Sequence, residues 1–175
     1  MKSNSRYRVL IRYTTAVLAV IWFFACQALP NLSGVGRIVP PEKRIPLPHG
    51  GTHKGRWVTD DLILTYQYEQ TGNSFTIAGT VDFAGPLRTG FSTLDHFFLK
   101  MVFIDNAGTI LASRPLLTVG YGRPIDKFTF KRDITLPSHA VAMAFSFRGR
   151  AREGGNSKFD RNSDGIEWYF QKTPY

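Results

Sequence analysis

From Arg56 onward the chain alternates, and that period of two constrains its fold more than any other feature. Leu62, Leu64, Tyr66 and Tyr68 interleave with Ile63, Thr65, Gln67 and Glu69; Phe75, Ile77, Gly79, Val81 and Phe83 interleave with mostly small or polar neighbours. In extended backbone successive side chains leave opposite faces, so each run can bury one face and wet the other. Aromatic and β-branched residues suit that half-buried surface. Gln70-Thr71-Gly72-Asn73 reads as the hairpin turn between the two runs. The stretch 97–104 is apolar on both faces except at Lys100, which suits a central strand, and Asp105-Asn106-Ala107-Gly108 turns it into 109–117. Phe128, Phe130, Ile134 and Leu136 alternate again, followed by Val141, Met143, Phe145 and Phe147, and then Ile166, Trp168 and Phe170. No sustained helical repeat interrupts this body. About seven strands with regularly spaced turns predict an all-β fold, an antiparallel β-sandwich of immunoglobulin-like type, with a small up-and-down barrel as the alternative.

Burial alone must hold this body together. Cys26 is the only cysteine, so no disulfide can staple the strands, whereas 12 of the chain's 14 Phe and 5 of its 7 Tyr fall in this body and supply large apolar areas. The domain is expected over residues 56–175.

Residues 1–26 read as an export signal or membrane anchor. Lys2, Arg6, Arg8 and Arg12 precede an apolar run from Tyr13 to Leu29, the layout of a charged n-region and an apolar h-region. The positive side is expected to stay in the cytoplasm while the remainder crosses the membrane. Three endings are open. Phe23-Phe24-Ala25-Cys26 resembles a lipobox, which makes Cys26 a lipidation site. Cys26-Gln27-Ala28 has the small residues of an ordinary cleavage site, and an uncleaved segment would remain as a short anchor. Residues 27–55 follow as an expected linker, because five of the ten prolines fall between Pro30 and Pro48, just before Gly50-Gly51.

Charge narrows the partners. The chain carries +9, but the segment 1–25 holds four of the 22 basic side chains and none of the 13 acidic ones, leaving +5 for the rest. That is mildly basic, suited to an anionic polymer or membrane surface and short of a nucleic-acid footprint. The best surface candidate is Arg148, Arg150 and Arg152, which in a strand share one face while Phe145 and Phe147 take the other. Three guanidiniums in a row suit phosphates or carboxylates. The plainer role is protection of an edge strand, and in either role their replacement is expected to cost little stability.

Motifs for chemistry are weak. Asp160, Asn162, Asp164 and Gly165 match the first half of a calcium loop, with Glu167 close by, but position twelve is Gln171 instead of glutamate. Turn chemistry explains these residues as well. His49 and His53 are four apart, with Gly50-Gly51 between them to prevent a shared helical face. Ser92, Asp95 and His96, like Asp60-Asp61, are too close along a strand to converge. No nucleophile elbow, zinc helix or phosphate loop is present. The expectation is an exported, membrane-anchored envelope protein that is no enzyme and needs no cofactor. It would act by binding or scaffolding, its partner an unknown envelope protein or, through the arginines, an anionic polymer or lipid headgroup. A hydrolase with a dispersed site is the remaining alternative.

Overall fold

Alternation becomes strand in the computed structural model, which describes residues 34–153 and 167–175, so that Ile166 of the last alternating run lies outside it. In chain order the elements are a 3₁₀ turn (Pro41–Lys43), β1 (Ile45–Pro46), β2 (Thr52–Val58), β3 (Leu62–Thr71), β4 (Ser74–Phe83), α1 (Gly85–Gly90), β5 (Thr93–Ile104), β6 (Ile110–Val119), β7 (Arg123–Pro124), β8 (Phe128–Thr135), β9 (Ala142–Arg152) and β10 (Glu167–Lys172). They form two antiparallel sheets. In the first sheet β9 and β5 are central; β1 and β10 pair with the far side of β9, and β6 and β7 with the far side of β5. The second sheet runs β2-β3-β4-β8.

One apolar core joins the inner faces of the two sheets. Leu62, Leu64, Tyr66 and Tyr68 of β3 and Phe75, Ile77, Val81 and Phe83 of β4 are buried, as the period of two requires. Against them pack Phe97, Leu99, Met101 and Phe103 of β5 and Met143, Phe145 and Phe147 of β9. Edge-to-face ring pairs cross between the sheets, Phe75 with Phe103 at 5.4 Å and Phe83 with Phe97 at 5.1 Å. Such pairs add to what burial of the rings already contributes.

Three strand glycines make room for this aromatic filling. Gly55 is in register with Tyr66, Gly79 with Phe130 and Gly149 with Phe170, and each ring lies where the glycine's side chain would otherwise stand. Glycine weakens a strand unless something approaches closely. Here a cross-strand ring covers each one.

The linker expectation needs correction over residues 34–55. Pro40, Pro41, Pro46 and Pro48 do bar a helix, but β1 is an edge strand, where a missing N–H is tolerated. Val39 and Leu47 are buried. Val39 joins Val102, Ile104, Ile110, Ala142 and Ala144 in a second, smaller core on the outer face of the first sheet, with Tyr175 packed against it. Backbone bonds tie the segment down, among them Gly36 N–H to Ile110 O at 2.9 Å, Val39 N–H to Gly108 O at 2.9 Å and Leu47 N–H to Val141 O at 2.9 Å. Residues 34–47 are therefore a strap over the sheet. A proline count cannot see the two apolar side chains that anchor it.

Candidate functional site

The arginine row exists, but it is not the exposed edge that the sequence suggested. Arg148, Arg150 and Arg152 do share the outward face of β9, while Phe145 and Phe147 are buried on the other. The strand itself is central, flanked by β5 and β10, so edge protection is not the reason for its charges. Each guanidinium lies over an aromatic ring: Arg148 over Phe98 at 5.0 Å, Arg150 over Tyr169 at 5.7 Å and Arg152 over Tyr121 at 5.9 Å. Stacking of this kind suits arginine's flat, weakly hydrated head.

Two of the three are neutralised by the protein. Asp95 Oδ2 lies 2.8 Å from Arg150 Nε and 3.2 Å from an Arg152 terminal nitrogen. Glu167 closes the other side, 3.4 Å from Arg150 and 3.2 Å from Arg152. The Tyr169 hydroxyl accepts from Arg150 and donates to Glu167, both at 3.1 Å. That hydrogen bond raises the Arg150 pKa; burial opposes it, and the charges of Asp95 and Glu167 add to the rise. Asp95 is the one buried charged residue among the described residues, its side chain only 3% exposed. It reaches the arginines because the register of β5 on β9 slips between Leu94 and His96, leaving Asp95 as an extra residue. A bulge re-aims a side chain that strict alternation would send elsewhere. This is the signal that the sequence did not show.

Arg148 stands apart, exposed and beside Lys100 on the neighbouring strand. The two border a recess of about 180 Å³ with Ser146, Gln171, Thr173 and Tyr175. Burial lowers the Lys100 pKa, and the positive charge of Arg148 lowers it further.

A larger recess lies on the outer face of the second sheet. It measures about 510 Å³, and its floor is built from Thr65, Gln67, Ala78, Thr80 and Thr129, which alternate with the core positions of β3, β4 and β8. The register sets its rim. Lys54 pairs with Gln67, Gln67 with Ala78 and Ala78 with Lys131, so one row across four strands ends in an ammonium on each side. Three strand spacings separate those ends by about 14 Å of backbone. Arg56 heads the adjacent row through Thr65, Thr80 and Thr129. Lys54, Arg56 and Lys131 are all exposed, and none has an ion-pair partner among the described residues. On the opposite flank the row Thr52, Glu69, Thr76 and Asp133 carries two acids, one of which accepts the Thr76 hydroxyl at 2.7 Å.

The remaining sequence candidates do not assemble. His53 stacks on Tyr68 at 5.1 Å with Nε2 2.7 Å from Gly50 O, while His49 Nδ1 lies 3.4 Å from the Gln70 amide. Asp95 is engaged by arginines, and His96 lies beside Phe98 at 5.6 Å. Burial raises the Asp61 pKa, Asp60 raises it further, and Lys172 opposes them. Cys26, Asp160, Asn162 and Asp164 lie outside the described residues, and Glu167 is spent on the arginines. Among the described residues no three His, Cys, Asp or Glu side chains form a metal-binding group, and no helix is long and apolar enough to cross a membrane. No protein-family model, curated protein or solved structure matches this chain.

Proposed function

We propose that this is an exported envelope protein, tethered through its N-terminal segment by lipidation at Cys26, whose β domain is a non-catalytic binding module. Its ligand surface is the outer face of the second sheet. The observation that carries this reading is the open, shallow recess of about 510 Å³ on that face. Lys54, Arg56 and Lys131 sit at its margin, uncompensated by ion pairs among the described residues. A basic, apolar N-terminus supports the envelope setting. Strand order supports an immunoglobulin-like class for the domain: β4 lies beside β8 in one sheet, and β6-β5-β9-β10 runs through the other.

The test is co-sedimentation of full-length protein, held in neutral detergent, with purified cell-wall fragments. Wild type should sediment, and Ala78→Trp, which fills the recess floor, should not. Arg114→Gln on β6 should behave as wild type. Failure of wild type to sediment at any protein concentration would remove the binding reading. Intact mass of the membrane-extracted protein tests the tether, since acylation at Cys26 adds diacyl mass and Cys26→Ser abolishes it.

A further inference from the structure

We infer that the occupant of the second-sheet recess is an extended, negatively charged glycan lying across the strands from Lys54 to Lys131. The inference rests on the proposed binding role of this face and concerns only the chemistry of what it holds. Two features select the class. Thr65, Gln67, Thr80 and Thr129 present hydroxyls and an amide, each able to donate and accept, which is the complement of a polyhydroxylated chain. Cations at both ends of one cross-strand row, with Arg56 on the next, reward a ligand whose negative charges recur along its length.

Other classes fit less well. The floor has no aromatic or large aliphatic side chain pointing outward to receive an apolar peptide, because Tyr66 and Phe130 belong to the buried set. Ala78, with only a methyl, keeps the centre of the floor low, so that a chain can pass over it. Glu69 and Asp133 on the flanking row would repel a polyanion, which confines it to the two rows that hold Lys54, Arg56 and Lys131. The path therefore has a direction, perpendicular to the strands.

Three defined polymers separate the contributions: polygalacturonate, its fully methyl-esterified form and polyglutamate of similar length. The first carries hydroxyls and charge, the second hydroxyls alone and the third charge alone. Titrated into full-length protein in neutral detergent, polygalacturonate should bind at least tenfold more tightly than either of the others. The double variant Lys54→Gln/Lys131→Gln should lose at least tenfold of that affinity while keeping its melting temperature. Arg148→Gln, on the other sheet, should change neither. Raising the salt from low to physiological should weaken wild-type binding, because exposed charges are screened over ~8–10 Å. Equal binding of polygalacturonate and its ester, or unchanged affinity in the lysine double variant, would overturn the inference. Either result is compatible with wall fragments sedimenting and Ala78→Trp abolishing it, in which case the binding role stands with a different ligand. Tighter binding of polyglutamate than of polygalacturonate would also overturn it, in favour of an acidic peptide.

Discussion

The two outer faces of this protein arise from the same alternation and end in opposite conditions. On the first sheet the chain itself occupies much of the outer face, leaving Arg148 exposed beside a smaller recess of about 180 Å³. Residues 34–47 cover one end through Val39, and at the other end Arg150 and Arg152 are held by Asp95 and Glu167. On the second sheet Lys54, Arg56 and Lys131 border a recess, and no ion pair among the described residues compensates them. A count of arginines points to the first face. A count of charges left over after the protein has used its own points to the second. Counterions inside the fold make a basic cluster into structure, and only the surplus is available to a ligand.

The sharpest way to break this contrast is at the strap. If residues 34–47 are part of the fold, Val39→Asp buries an unpaired carboxylate at a site with no exposure and should cost about 3 kcal/mol or more. Chemical denaturation of wild type and variant measures it. A loss below about 0.5 kcal/mol, the size of an ordinary surface substitution, would return the segment to a mere linker. The first sheet's outer face would then be as open as the second's.

Next in size is Asp95. Replacing it with Asn keeps the shape and removes the charge that two guanidiniums share, a loss of about 2 kcal/mol for a buried charged hydrogen-bonding group. Glu167→Gln should cost less, since its side chain is 34% exposed. Its effect should be local, seen as faster amide exchange in β10, whose first residue it is. Equal and negligible costs at both positions would mean that the arginine cluster is ordinary solvated surface.

These differences also show what a sequence can and cannot carry. Leu62 to Tyr68 and Phe75 to Phe83 state their strand, their inward face and their hairpin in the residues themselves, because period and burial are the same fact seen twice. The face shared by Arg148, Arg150 and Arg152 was legible for the same reason. Their neutralisation was not. It depends on a bulge at Asp95 and on its meeting Arg150 and Arg152 from a distant part of the chain, and neither leaves a periodic trace. Sheet order was equally hidden, so a central strand passed for an edge. The second-sheet recess escaped because Lys54, Thr65, Ala78 and Lys131 are unremarkable one by one and meet only through register.

Alkaline pH gives a third, smaller test. Burial raises the pKa of Tyr66, with Tyr68 raising it further, and burial raises that of Tyr68. An unfolded tyrosine loses its proton first as pH climbs past about 10, so the unfolded state then binds fewer protons and stability falls with pH. The contribution is complete below that pH and is lost as pH rises through the folded values. Tyr68 donates to Pro46 O at 3.4 Å, which joins the second sheet's inner face to the strap. Tyr68→Phe should therefore flatten the alkaline fall measured by melting temperature, and an unchanged slope would show that this ring is not shielded.

The smallest expected effect is the most informative about the open face. Lys54→Gln, Arg56→Gln and Lys131→Gln combined should change stability by no more than about 0.5 kcal/mol. All three are exposed and lack ion-pair partners among the described residues, so nothing is left unsatisfied when the charge is removed. The triple variant is to be compared with Asp95→Asn under one denaturant. The pairing of the two results is what matters. A stable triple variant beside a weakened Asp95→Asn says that the first face spends its charges on folding and the second keeps them for something else. If the triple variant instead loses as much stability as Asp95→Asn, these cations hold the sheet together, most directly through Glu69 and Asp133 on the flanking row. The second face would then be as self-contained as the first.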